Sequence, residues 1–370
     1  MLDITKFFTS KNEKKGEAVN FQRFVEEKPL QRPVEEILSN LIERPSSEEA
    51  ISLSEEEIVE SARKLGYPLD SKTMGKIYAV QESSLPLFEN IVTWLLRKEE
   101  SEEPFYYAFA RDGELLYDAL WGIGQANENS LSKRIRYLKT SQVMEDDLLN
   151  SEYFNQIGIS NSTIKNGNSL IFLDSGFLGS LFYQVKRWAE IKENLFEKKV
   201  RGYLVRSLGD FDQFGFYNPP SDEIIKKFNE KMNDSPYRSN LKGDLSWNLC
   251  AFMQLMPKFT GRYTKVYQKE NQNWDVLPEG NLLVSKLNIN LKNSSVNPNS
   301  DQINSIKSDK NFINADIVDP VASLLLQKRT LEYFANPSVQ DRVYSRIKTN
   351  SKGIYGQISK NLEKGYISFN

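Results

Sequence analysis

From Pro33 onward, apolar residues recur at helical spacing, with Val34, Ile37, Leu38 and Leu41 on one face. Pro45 and the Ser/Glu stretch after it break this helix. Ser54 and Glu57 then form a capping box, in which the Ser accepts from the amide three residues on and Glu57 reaches back. It opens a helix through Ile58, Ala62 and Leu65 that Gly66 and Pro68 stop. A further helix is predicted over 71–81. An amphipathic one follows through Leu87, Ile91, Trp94 and Leu95. The stretch 34–103 therefore reads as a helical N-terminal region, preceded by a polar, flexible arm over 1–33.

At Pro104 the pattern changes. Phe105 to Ala110 is a short, nearly uninterrupted apolar run, as a buried parallel strand requires. Helical spacing follows through Leu115, Leu116, Leu120 and Ile123. Arg134 to Leu138 reads as a second strand, and a helix with Val143 and Leu148 comes next. Ser169 to Asp174 carries the strongest strand signal, followed by a helix over about 179–193. Val200 to Leu208 reads as a fourth strand. This alternation predicts an α/β core over 104–215 with a Rossmann-like, mainly parallel sheet.

Beyond Asp210 the signals weaken. An α+β addition is expected over 216–287, with helices over 221–232 and 246–256 and a strand or hairpin arm over 262–268. The Asn-, Ser- and Lys-rich stretch 288–310 reads as a flexible insertion. Helices over 320–334 and 338–348 give 311–370 the character of a helical C-terminal cap.

Composition narrows the chemistry. The 370 residues are 39% hydrophobic and 26% charged, which suits a packed core. Lys+Arg 48 against Asp+Glu 50 leaves a net charge of −2, so no overall basic field draws nucleic acid. There is no histidine, which removes the Ser-His-Asp triad, histidine zinc sites and phosphohistidine chemistry. A single cysteine, Cys250, excludes internal disulfides and thiolate-bound clusters, and its apolar surroundings mark it as a core residue. Any metal is then a hard, oxygen-bound ion such as Mg²⁺. No run of about 18 apolar residues occurs and the first residues carry no leader pattern, so no membrane partner and a cytoplasmic setting are expected.

Ligands of open α/β sheets bind outside the carboxyl ends of the strands. The candidates are therefore Arg111, Asp112 and Gly113 after the first strand, and Thr140 or Ser141 after the second. Asp174, Ser175, Gly176, Gly179 and Ser180 follow the third strand, and Asp210 the fourth. In the third loop, glycines allow backbone amides to approach a phosphate and the helix N-terminus adds partial positive charge. A tight strand-to-helix turn with Ser180 as a plain cap is the alternative. Arg111 and Asp112 alternatively serve only as a helix cap and local ion pair. Arg206 either clamps a phosphate or is solvated. Phe211, Phe214, Phe216 and Tyr217 either stack on a base or sugar or pack under the C-terminal helices.

The segment from Leu170 to Ser180 resembles the phosphoribosyl-pyrophosphate loop of type I phosphoribosyltransferases. In that family an apolar strand ends in two acids, and Thr-Gly-x-Thr opens a helix. Here Asp174 stands as the first acid, Ser175 replaces the second, and Gly179-Ser180 occupy the phosphate-cradling end. The resemblance implies that Asp174 contacts ribose hydroxyls or Mg²⁺, that Gly176, Gly179 and Ser180 cradle phosphate, and that Arg111 and Asp112 serve pyrophosphate. Phe109 to Leu115, Tyr137 to Ser141 and Leu173 to Ser180 are also similar to the ARDG and DxGxxGS segment of haloacid-dehalogenase-type proteins from bacterial polysaccharide clusters. Set against that family's phosphatase motif, Ala110 stands at the nucleophile position, so no aspartyl-phosphate can form.

The leading expectation is a phosphoribosyltransferase-like domain that binds a phosphorylated sugar or nucleotide with Mg²⁺, whether active or degenerate. Asp112 and Asp174 are its candidate catalytic residues, and Asp174 its metal ligand. One alternative is a haloacid-dehalogenase-like phosphate binder using Asp112, Ser141 and Asp210. The other is a non-enzymatic interaction module that docks a protein partner through the terminal helices.

Overall fold

The computed structural model describes residues 33–39, 44–67, 69–99, 103–125, 131–141, 144, 152–160, 163, 169–177, 180–189, 200–207, 212–213, 221–234, 245–259, 263–278 and 319–349. Among these, four short apolar segments form neighbouring strands of one sheet: β1 (Phe105–Phe109), β2 (Ile135–Leu138), β3 (Leu170–Phe177) and β4 (Val200–Ser207). A two-residue strand, β5 (Asp212–Gln213), lies outside β4. The order is β2-β1-β3-β4-β5 and every neighbouring pair is parallel. The protein is thus mixed α/β with a mainly parallel sheet.

Alternation along the strands sends side chains into two cores. Tyr106, Ala108, Ile171, Leu173, Tyr203 and Val205 join the larger, helical core. Tyr107, Phe109, Leu170, Phe172 and Val200 join the smaller one on the opposite face. Both faces are buried, which is why these strands read as continuous apolar runs rather than alternating ones.

The larger core is built from the N-terminal helices α1 (Val34–Ser39), α2 (Ser47–Ser52), α3 (Glu55–Lys64) and α4 (Ser71–Glu99), and from α5 (Glu114–Gln125), which follows β1. A four-residue helical turn, α6 (Leu131–Arg134), leads into β2, and α7 (Tyr153–Gln156) follows it. The smaller core takes Tyr153 and Phe154 of α7, and Phe182, Val185 and Trp188 of α8 (Ser180–Trp188), the helix between β3 and β4. Helices α9 (Asp222–Asp234) and α10 (Leu245–Leu255) return to the larger core. The antiparallel hairpin of β6 (Tyr263–Gln268) and β7 (Trp274–Pro278) covers the smaller one. The helices α11 (Pro320–Ala335) and α12 (Pro337–Thr349) complete the larger core.

Three expectations from the sequence are corrected. The helices expected over 71–81 and through 87–95 are one 29-residue helix with Pro86 inside it. Pro86 removes one amide donor, but buried Leu85, Leu87, Phe88 and Ile91 hold both halves against the core, and packing overrides the local penalty. The Ser/Glu stretch after Pro45 is helical, because Ser46 and Glu49 make a second capping box ahead of α2. The third strand does not end at Asp174 but continues to Phe177 in register with β4. The capping box at Ser54 and Glu57 forms as expected, with amide-to-side-chain bonds of 2.8 and 3.0 Å.

The expected flexible arm over 1–33, apart from Pro33, and the expected insertion over 288–310 lie outside the described residues. Among the described residues, no helix is long and apolar enough to cross a membrane.

Candidate functional site

The chain leaves β1 toward β2 on one side and resumes at β3 on the other. Helix α5 after β1 and helix α8 after β3 pack on opposite faces of the sheet. A crevice at the carboxyl ends of two such strands is where open α/β sheets bind ligands. Arg111, Asp112 and Gly113 follow the end of β1, and Asp174, Ser175 and Gly176 lie in the last half of β3.

The turn after β1 is tightly constrained. The Gly113 amide donates to the Phe109 carbonyl at 2.8 Å, and the Tyr117 amide donates to the Gly113 carbonyl at 3.0 Å, so α5 starts directly on the strand end. A Cβ at Gly113 would sit 2.6 Å from the Phe109 carbonyl oxygen and 3.0 Å from that of Leu173. Only glycine lets β1, β3 and α5 meet this closely. Arg111 has φ 72°, the left-handed region. For a residue with a Cβ this costs about 1–2 kcal/mol, so the surroundings must hold it there.

Two side chains do so. The Arg111 amide donates to the Tyr137 hydroxyl at 3.2 Å, and its carbonyl accepts from Lys258 Nζ at 2.8 Å. Tyr137 is fixed in turn, because its hydroxyl donates to Glu114 Oε1 at 2.7 Å and its ring lies 5.0 Å from the Arg44 guanidinium. Arg44 also covers the Tyr117 ring at 4.5 Å and pairs with buried Asp118. Burial pushes the pKa of Asp118 up to about 7, with Arg44 opposing the rise and Glu114 adding to it. For Arg44, burial acts to lower its pKa, but Asp118 and Glu114 outweigh it and leave the guanidinium raised.

Lys258, just beyond α10, is not among the sequence-derived candidates. Its side chain is 2% exposed. It donates to the Arg111 and Met253 carbonyls and lies 3.6 Å from Asp112 Oδ1. Burial pulls its pKa down, while Asp112 and Glu114 hold it up. The Asp112 side chain is 26% exposed, so this ion pair has one solvent-facing member.

Asp174 is buried and accepts a 2.8 Å bond from the Ser175 amide. Burial raises its carboxyl well above the ordinary range, and the Asp112 charge raises it further. The Ser175 amide, Lys258 and Arg111 oppose this without cancelling it. Asp112, Asp174, Lys258 and Arg111 therefore form one electrostatic cluster drawn from two strand ends and the segment after α10.

Gly176 adopts φ 143°, and a Cβ there would lie 2.3 Å from the Arg206 carbonyl oxygen. The glycine therefore serves strand pairing inside β3, where the sequence suggests a loop. Its α10 neighbour is Cys250, whose Sγ would stand 3.2 Å from that Cβ. Cys250 is a core residue as expected, and burial, then Asp174 and Asp112, raise its thiol pKa. Arg206 is half-buried, and its guanidinium donates to Ser246 Oγ at 3.2 Å. Ser141 is buried after β2, with its hydroxyl donating to the Tyr263 carbonyl and tying the strand end to the hairpin. Ser180 is the first residue of α8. Gly179, Asp210, Phe211, Phe214, Phe216 and Tyr217 lie outside the described residues.

Among the described residues, no group of three or more Cys, Asp or Glu side chains is arranged to hold a metal. Mg²⁺ commonly takes only one or two carboxylates and completes its shell with water and ligand phosphate oxygens. Comparison with protein-family models, curated proteins and solved structures finds no match.

Proposed function

We propose that the protein binds a phosphorylated sugar or nucleotide together with Mg²⁺, in a Rossmann-like, phosphoribosyltransferase-like manner, at the carboxyl ends of β1 and β3. One observation carries this reading: at the end of β1, buried Lys258 Nζ lies 3.6 Å from partly exposed Asp112 and donates to the Arg111 carbonyl at 2.8 Å, and β1 pairs with β3, which carries buried Asp174. In the proposal, partly exposed Asp112 meets the ion first and Asp174 completes the protein's share of the ligands. Arg111 neutralises phosphate oxygens. The bound Mg²⁺ would supply charge neutralisation between carboxylates and phosphates. Ser175 stands where a second acid would hold ribose, so we assign binding rather than group transfer. The haloacid-dehalogenase-like alternative would use the Thr140 or Ser141 hydroxyl, and that of Ser141 already donates to the Tyr263 carbonyl.

The test is a melting-temperature titration with 5-phosphoribosyl 1-pyrophosphate and ribose 5-phosphate, each with and without Mg²⁺. A ligand at 100 times its Kd stabilises by about 2.7 kcal/mol, enough to raise Tm by several degrees. We expect a Mg²⁺-dependent rise that Asp112→Asn removes. No rise with any phosphorylated compound would overturn the reading and favour an interaction module.

A further inference from the structure

We propose that Tyr137 and Lys258 are positioning residues, which clamp the left-handed Arg111 peptide from both ends and so set where its guanidinium meets a ligand phosphate. This rests on the phosphate-binding reading above. A turn that served only the fold would place Gly or Asn at φ 72°, since both adopt that region cheaply. An arginine there is explained by its side chain. That side chain already belongs to the cluster, where it counteracts the rise of the Asp174 pKa.

The two clamps are built from distant parts of the chain. Tyr137 is 26 residues from Arg111, and Lys258 is 147. Neither is a loose contact. Tyr137 is held by Glu114 and by Arg44 over its ring, and Lys258 by the Met253 carbonyl and Asp112. A hydroxyl takes the Arg111 amide and an ammonium group takes its carbonyl, so both polar groups of the strained residue are fixed by side chains. Removing either clamp lets the backbone relax toward ordinary φ and carries the guanidinium away.

Tyr137→Phe is the test, because it deletes one oxygen and keeps the ring. Binding of 5-phosphoribosyl 1-pyrophosphate and of inorganic pyrophosphate, with Mg²⁺, is measured in the wild-type and Arg111→Ala backgrounds. Hydrogen exchange is read at single amides. We expect Tyr137→Phe to weaken binding about tenfold in the wild type and not further in Arg111→Ala, the non-additivity of residues acting as one unit. The Arg111 amide should exchange faster, while those of Ala110 and Gly113, bonded to the Leu138 and Phe109 carbonyls, keep their protection. Lys258→Met should show the same non-additive loss of affinity. Equal losses in both backgrounds, or unchanged exchange at Arg111, would overturn the proposal. A wild type that binds neither compound overturns the phosphate reading and the aiming role with it; the exchange result then still decides whether Tyr137 clamps the backbone.

Discussion

Lys258 Nζ donates a 2.8 Å hydrogen bond to the Arg111 carbonyl, across 147 residues of sequence. The bond joins the segment beyond α10 to the turn that ends β1. It also places a buried cation beside Asp112 and within electrostatic reach of Asp174. The ion pair is not a simple stabilising element, since burying a lysine costs more than one partly exposed carboxylate returns.

Gly113→Ala should destabilise the fold strongly. The added Cβ would press on the Phe109 and Leu173 carbonyl oxygens, backbone atoms that cannot rotate away. Overpacking of this kind costs about 1–3 kcal/mol, with the upper end expected here. Denaturant melts of the two proteins check it, and an unchanged midpoint would mean that the β1 turn has room for a methyl group.

Asp174 makes stability depend on pH in an unusual direction. Its folded pKa lies well above its unfolded value, so the folded state holds the proton more tightly. The contribution is fully present below the unfolded pKa, about 4, and is lost as pH rises through the folded value. A tenfold difference in proton affinity between the two states corresponds to about 1.4 kcal/mol. Asp174→Asn should flatten this fall and make the protein more stable than wild type at neutral pH. A variant less stable than wild type at neutral pH would show Asp174 to be a neutralised, stabilising carboxylate instead.

Arg44 and Asp118 pair with side chains 4% and 3% exposed. Without Arg44 the buried Asp118 carboxyl can neutralise only by taking up a proton, so the loss from Arg44→Ala should grow as pH rises above about 7 and approach about 3–5 kcal/mol in alkali. Replacing both, as Arg44→Met with Asp118→Leu, should recover much of that loss. Equilibrium unfolding of the variants in alkali checks the cycle, and a loss there below about 1 kcal/mol for Arg44→Ala, the size of a surface pair, would contradict the burial of the pair.

Cys250 should behave as a core residue. Burial and two neighbouring carboxyls disfavour its thiolate, and the thiolate is the reactive form. A thiol reagent should modify it only as fast as the native protein opens. Modification within seconds under native conditions would show the β3–α10 contact to be open.

The strands are legible in the sequence because sheet burial on both faces writes itself as short apolar runs, and Tyr106 to Phe109 and Leu170 to Leu173 are buried along their whole length. Asp112 and Asp174 are legible for a related reason, since each follows or ends such a run. Gly176 misleads because its positive φ serves a strand, whereas glycine near a strand end usually signals a turn. Pro86 misleads because tertiary packing outvotes a local helix breaker. Lys258 and Arg44 carry no signal of their own. Each lies between elements, next to a proline, and gains its role from partners far away in sequence. The second capping box, at Ser46 and Glu49, obeys the same rule as the first and is masked by Pro45 before it.

A Mg²⁺–phosphate site between β1 and β3 is tested most directly by a crystal grown with 5-phosphoribosyl 1-pyrophosphate and Mn²⁺ in place of Mg²⁺, because manganese scatters anomalously. One strong anomalous peak is expected at roughly 2.2 Å from carboxylate oxygens of Asp112 or Asp174, with phosphate oxygens completing the shell and Arg111 against the phosphate. A ligand seated elsewhere on the protein, or a metal peak with neither carboxylate in its shell, would contradict the site.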